Sequence, residues 1–343
     1  MMVSEFTARL ERGEHLSLEE MSAVIDLFMQ GQRGENEMAE FLLALRAKGE
    51  TVDEIAGAAL AMRGHMIRIR TSRSGVLDTC GTGGDASGTF NISTGAALVA
   101  SSGIGRAIAL ELAAAGADVL IHARVRAGAA AGVADEIRAA GRQATVVLAD
   151  LTDPASHPTL VDAAWAWHDR VDIWINNAGA DVLTGAAADW SFEEKFDRLW
   201  RVDVVATMRL SRLAGARMKQ HALEPGQAVI LNMGWDQAER GMAGDSGELF
   251  GTIKGAVAAF TRSLACSLAP EVRVNCLAPG WIKTAWGEHA SAYWQQRACR
   301  ESLLQRWGTP ADVARLTRFL ASPAAEFITG QVIPINGGFG RGS

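Results

Sequence analysis

Only one tyrosine, Tyr293, occurs in the 343 residues, and only four cysteines, Cys80, Cys266, Cys276 and Cys299, with no C-x-x-C pair. Scattered thiols of this kind fit a reducing cytoplasm and argue against a disulfide or zinc framework. The seven histidines form no H-E-x-x-H, so no metal is expected. No apolar run is long enough to span a bilayer, and the acidic start MMVSEFTARLERGEHLSLEE lacks an apolar signal core. Positive charge is not in excess: the net charge of −6 argues against nucleic acid or an anionic membrane as partner. The composition, 48% hydrophobic and 21% charged, is that of a soluble globular protein. Tryptophan is plentiful. All ten lie after residue 160, so composition is uneven along the chain.

The first quarter reads as helix. Ser17-Leu-Glu-Glu20 is a capping box, in which hydroxyl and carboxylate satisfy orphan amides reciprocally. Met21, Val24, Ile25 and Phe28 follow on one helical face, stopped by Gly31. Met38, Phe41, Leu42 and Leu45 repeat the spacing up to Gly49. A second capping box, Thr51–Glu54, leads into Ile55, Ala58, Ala59 and Met62. These short amphipathic helices bury little alone and are expected to pack on something else or on a second copy.

Next comes LDTCGTGGDASGTFNIST, residues 77–94, a glycine-rich loop around Asp85. Such a loop either cradles a phosphate with backbone amides or serves as a flexible linker. FLLALRAKGETVDEIAGAALAMR followed by DTCGTGGDASGTFNISTGAALVA resembles the N-terminal part of anthranilate phosphoribosyltransferase. The resemblance covers about the first hundred residues. It implies a phosphoribosyl pyrophosphate loop at Gly81, Thr82, Gly83, Asp85, Asn91, Ser93 and Thr94. The family's later K-H-G-N-R segment and its magnesium-carrying Asp-Glu pair are absent, so phosphoribosyl transfer is not expected.

From Ala96 onward, apolar strand candidates alternate with helices: 118–122, 144–149, 173–176, 228–232 and 272–277. Thr309-Pro310-Ala-Asp312 carries an N-cap, a first-turn proline and a first-turn acid. This alternation predicts an α/β fold, a doubly wound parallel Rossmann-type sheet preceded by a small α-helical segment. SSGIGRAIALELAAAGADVLI, ADL at 149–151, NNAG at 176–179, a helix carrying Lys254, APGWIKT at 278–284 and ITGQVIPINGG at 328–338 occur in that order. In this order they resemble the short-chain dehydrogenase/reductase family over residues 96–343. The organisation expected is therefore 1–75 helical, 76–95 a glycine-rich seam, and 96–343 reductase-like.

The resemblance implies a nicotinamide dinucleotide, held by Ser102, Gly103, Ile104 and Gly105 at the phosphate turn. Asp150 and Leu151 match the adenine contacts, and Asn176, Ala178 and Gly179 the turn flanking the cofactor. Pro279, Gly280, Ile282 and Thr284 match the nicotinamide strap. The acid that usually binds a ribose 2′-hydroxyl is missing from HARVR, which offers Arg124 and Arg126 instead. Arginine there favours a 2′-phosphate, hence NADP with NAD as the alternative, unless the two are simply a solvated loop. At the seam, LVASSGIG lacks two residues of the usual strand-turn start. Residues 96–100 are either the end of a helix or the first central strand, and the sheet requires the strand.

The family's working set of asparagine, serine, tyrosine and lysine is broken. Lys254 is present, but Phe250 stands at the tyrosine position, Trp235 (or Gly234) at the serine and Asp203 at the asparagine. A phenyl ring exchanges no proton. Asp236, Glu239, Asp245 and Glu248 offer carboxyls nearby in sequence, either solvated or acting as acids, with Asp236 and Glu248 the candidates carried forward. Trp235, Trp281, Trp286 and Trp294 either line an apolar pocket or fill it. The leading expectation is oxidoreduction of a small carbonyl or alcohol by a homo-oligomer. The alternatives are a nucleotide-binding protein with little turnover and a phosphoribosyltransferase remnant.

Overall fold

The computed structural model describes residues 3–31, 34–65, 95–96, 103–221 and 225–338. Two compact units, Met1–Cys80 and Gly81–Ser343, divide the chain. The first holds helices α1 (Val3–Glu11), α2 (Leu18–Met29), α3 (Glu35–Lys48) and α4 (Val52–His65). The Ser17–Glu20 capping box is present, and Met21, Val24, Ile25 and Phe28 are buried as their spacing requires. Helix α1 was not anticipated, although Val3, Phe6 and Leu10 share its buried face.

Helix α4 corrects the sequence reading. Ile55 and Met62 are 60% and 50% exposed, and Leu42 on α3 is also exposed. Glu54, Gly57 and Ala61 are buried instead. Gly57 is the cause: a Cβ there would collide with the Leu18 carbonyl, so its absence lets α4 settle onto α2. Glu54 is then carried inside, where it accepts hydrogen bonds from Leu16 N (2.8 Å), Thr51 N (2.8 Å) and Lys48 Nζ (2.9 Å).

The second unit is built on strands β1 (Gly95–Ala96), β2 (Val119–Ala123), β3 (Ala144–Leu148), β4 (Ile173–Asn176), β5 (Ala228–Met233), β6 (Val272–Pro279) and β7 (Val332–Ile335). All pair in parallel, in the order β3-β2-β1-β4-β5-β6-β7. Gly95 pairs with both Val119 and Ile173, which places β1 in the centre, where the strand order reverses. Residues 97–100, the rest of the expected strand, lie outside the described residues.

Helices α5 (Ile104–Ala114), α6 (Ala127–Ala139) and α13 (Pro310–Ala321) contribute to one core layer, with Ile121, Ile175 and Leu231 of the sheet. Helices α7 (Ser156–His168), α9 (Thr207–His221) and α10 (Asp245–Leu268) contribute to the other, with Leu120, Trp174 and Ile230. Neighbouring strand residues thus face opposite layers, the period of two expected of strands covered on both faces. Helix α8 (Phe192–Leu199) runs into α9 through a π-helical turn, Trp200–Ala206. After β6 come α11 (Ala285–His289) and α12 (Ala292–Glu301).

Candidate functional site

In open parallel sheets, ligands lie beyond the carboxyl ends of the strands at the point where the order reverses. Gly103 stands there as the N-cap of α5, with φ +64° and no capping side chain. A Cβ on Gly103 would sit 3.5 Å from Thr284 Cγ2. The helix start and the strap after β6 therefore meet. Gly103 has no side chain to cap the first-turn amides at Ile104 and Gly105, and amides at a helix start suit an anionic group. Ser102 and the loop residues Gly81, Thr82, Gly83, Asp85, Asn91, Ser93 and Thr94 lie outside the described residues.

Arg124 and Arg126 follow β2 and are exposed. Asp150, beyond β3, accepts hydrogen bonds from Thr152 N (2.9 Å) and Oγ1 (2.7 Å). Partial burial opposes its ionisation, but these bonds and the nearby Arg198 and Arg124 outweigh it and hold the carboxyl below its ordinary range. Arg198 on α8 was not anticipated as a neighbour of this acid. Leu151 is buried in the core layer of α7.

Asn176 closes β4. Its side chain is buried, accepting from Trp174 Nε1 (3.0 Å) and donating to Ser211 Oγ (2.8 Å) and Asn232 Oδ1 (2.8 Å). Asn232 in turn donates to Thr261 Oγ1 (3.0 Å). This amide stitches β4 to β5, α9 and α10. Beyond it the half-buried Asn177 and Ala178 and the exposed Gly179 follow the end of the strand.

Asp203, Trp235, Phe250 and Lys254 make two pairwise contacts, one ionic and one aromatic. Lys254 Nζ donates to Asp203 Oδ1 (2.8 Å) and to Met233 O (3.1 Å). Asp203 arises from the π turn, and its Oδ2 accepts from Ala180 N (2.8 Å). The two side chains are 12% and 2% exposed. A Cβ on Gly179 would approach Asp203 Oδ1 to 2.9 Å, so glycine lets the backbone close on the carboxylate. Phe250 and Trp235 meet edge to face, ring centroids 6.4 Å apart at 70°. Two aromatic rings thus meet at the positions that the sequence resemblance matches to hydroxyl-bearing residues.

The four acids do not form one group. Glu239 pairs with Arg262 in solvent, and Asp245 and Glu248 are exposed in the first turn of α10. Asp236 alone is half-buried. Burial pushes its carboxyl up, against the Asn336 amide and Arg240. Asn336 Nδ2 donates to its Oδ2 at 3.0 Å, and a Cβ on Gly280 would touch both partners. Asn336 was not singled out in the sequence, although it opens the N-G-G run. Ile282 is buried and bridges to Gly308. Trp281 packs on Trp294 (5.4 Å) and Trp307 (6.2 Å), and Arg297 lies over both Trp281 and Trp294. The side chain of Trp286 lies outside the described residues. A cavity of about 350 Å³ opens between Ser302, Arg306, Asp312 and Asn336, and neither Lys254 nor Phe250 lines it.

A doubly wound parallel sheet with a glycine-initiated helix at its switch point defines a Rossmann-type unit. Residues 97–340 match the family model described as enoyl-(acyl carrier protein) reductase, and residues 4–66 match the helical bundle domain of the glycosyl transferase family. An uncharacterised oxidoreductase of Mycobacterium tuberculosis is 37% identical over 241 residues, 69% of this chain and 88% of that protein. A solved short-chain dehydrogenase from Burkholderia cenocepacia, in complex with NADP, shares 32% identity with a TM-score of 0.64, covering 73% of this chain and 99% of that one. Over residues 97–340 the chain belongs to the short-chain dehydrogenase/reductase family. An anthranilate phosphoribosyltransferase of Rhodopirellula baltica is 46% identical over 129 residues, 38% of this chain but 34% of that protein. That alignment is longer than the stretch preceding residue 97, so the two likenesses overlap after the seam, beyond the hundred residues expected from the sequence.

Proposed function

We propose that residues 96–343 form an NADP-linked oxidoreductase acting on a small carbonyl or alcohol, joined through a glycine-rich seam (76–95) to a helical segment (1–75). The observation that carries this reading is the meeting of Gly103, at positive φ on the uncapped start of α5, with Thr284. A solved relative that holds NADP supports the choice of cofactor. So does the end of β2, where Ala123 is followed by Arg124 and Arg126 and no acid stands to claim a 2′-hydroxyl. When bound, the nicotinamide supplies or accepts a hydride. The chain's part is to hold it with α5, Asp150 and the strap, and to exclude water with Trp235 and Phe250.

Proton transfer is the weak step. Phe250 has no proton to exchange, and its loss forfeits general acid–base help of about 10²–10⁴-fold. Asp236 is the half-buried carboxyl left beside the strap. A second reading, nucleotide binding with little turnover, is favoured by the Trp235–Phe250 ring contact, which fills the place of the missing hydroxyls. The reading also includes a reducing, cytoplasmic setting and self-association, supported by the part-exposed rings of Trp190, Phe192 and Trp200 around α8.

Titration with NADPH, followed by tryptophan fluorescence, tests binding. NADPH oxidation with a panel of small ketones and aldehydes then separates the two readings. No fluorescence or calorimetric response to either dinucleotide would sink both.

A further inference from the structure

We propose that Asp203 silences Lys254, so that the ammonium gives no electrostatic help to a proton-donating group at position 250. The inference deepens the oxidoreductase reading, since it concerns the same site, but its first readout needs no nucleotide.

Lys254 follows Phe250 by one turn of α10 on the same helical face. In that arrangement a lone ammonium would stabilise an ionised partner. Here Asp203 Oδ1 lies 2.8 Å from Nζ. A charge compensated at contact acts on a third group as a dipole, and its effect falls off faster than that of a single charge. The compensation is built in. Asp203 is 2% exposed, its other oxygen is fixed by Ala180 N, and Gly179 closes against it. The elements that carry the pair also carry an apolar cluster: Val182, Leu199, Val204, Leu249 and Ile253 pack together, with Phe250 and Phe196 against them. Cys276 on β6 is also in electrostatic reach of Lys254, and burial pushes its thiol up to about 11, which leaves it neutral. Two departures from the family thus act in one direction. Phe250 removes the proton donor, and Asp203 removes the field that would have served it.

The consequence is coupling between the two positions. Restoring a hydroxyl at 250 is insufficient unless the charge at 203 is also removed. A single native tyrosine makes the test clean. In a Tyr293→Phe background, Phe250→Tyr introduces the only phenol, and its ionisation is followed by phenolate absorbance. With Asp203 in place it is expected to titrate at or above the ordinary value of about 10. Adding Asp203→Asn lowers that midpoint by about one unit or more, a tenfold gain in acidity. Asp203→Glu, which keeps the charge, leaves it high. Asp203→Ser is the second neutral variant, used if Asn does not fold by circular dichroism.

NADPH oxidation follows the same order: little gain for Phe250→Tyr alone, tenfold or more once Asp203→Asn is added. A phenol already depressed beside Asp203, or one unmoved by either neutral variant, overturns the inference. Failure to bind NADPH defeats the oxidoreductase reading and leaves the titration to decide this one.

Discussion

Thr284 lies over Gly103: a β-carbon built on that glycine would stand 3.5 Å from the threonine methyl group. One residue starts α5 at positive φ, and the other caps the strap beyond β6. They are far apart in sequence, and the sheet brings them to one end of the strands. A dinucleotide lying across the switch point would run between the elements these two residues begin.

Gly103→Ala is therefore expected to weaken NADPH binding by tenfold or more while leaving the fold intact. A β-carbon at φ +64° is strained, about 1–2 kcal/mol, and its easiest relief is to shift the helix start away from the ligand. Fluorescence titration gives the affinity, and circular dichroism checks the fold. Unchanged affinity would mean that phosphate binding does not use this turn.

Arg124→Ala is expected to lower the NADP/NAD affinity ratio by about fivefold or more, and Arg126→Ala by less. Arg124 is exposed at the end of β2, and it shares the electrostatic surroundings of Asp150. A guanidinium is suited to bidentate phosphate contact, an interaction of about 1–3 kcal/mol. Isothermal titration with both dinucleotides measures the ratio. An equal loss for both would assign Arg124 to a group they share, not to the 2′-phosphate.

How much of this was legible in the sequence depends on whether the signal was local. The capping boxes at Ser17 and Thr51 and the N-cap at Thr309 need only residues three apart, and all are formed. Strands β2 to β6 are mostly apolar because helices cover both faces, and they fall where expected to within a residue or two, whereas β7 was not singled out as a strand. Helix α4 misled because its apolar residues face outward. What decides its rotation is the missing β-carbon of Gly57, a tertiary fact that periodicity does not contain. Asp203 was read only as a departure from the family's asparagine; its pairing with Lys254 joins a π turn to a helix position 51 residues later, which no local signal reveals. Asn176 matched a cofactor motif by sequence, and the bonds of its amide to Ser211 and Asn232 were not legible there because they join separate elements. Asn336 went unseen because nothing near it in sequence points to Asp236.

The purified protein is expected to form no phosphoribosyl anthranilate above an inactive Asp85→Ala control. The matched stretch spans about a third of the anthranilate phosphoribosyltransferase it resembles. The later segments that would complete a substrate pocket and carry magnesium are missing from the sequence. A glycine-rich loop binds phosphate through its amides, but transfer also needs the acceptor held in line and the leaving pyrophosphate neutralised. Product formation abolished by Asp85→Ala would show that another constellation supplies both.

Glu54 is expected to make the helical unit sensitive to acid. Its carboxylate is 1% exposed, and burial opposes its ionisation. The bonds from Leu16 N, Lys48 Nζ and Thr51 outweigh that and hold it at about 2, against an ordinary 4.5. A depressed carboxylate stabilises the fold above its unfolded value, and that contribution is lost as pH falls toward its folded value. The window is therefore from about 4.5 down to about 2, and the full contribution is present at pH 7. A shift of this size corresponds to about 3 kcal/mol. Glu54→Gln should destabilise α2 and α4 by about 2–3 kcal/mol at neutral pH, and the difference from the native chain should shrink as pH falls through that window. Amide exchange of peptides covering α2 and α4 in the full chain, corrected for its intrinsic pH dependence, reads the effect where it occurs. A destabilisation that stays constant from pH 7 to pH 3 would show that Glu54 acts by shape and not by charge.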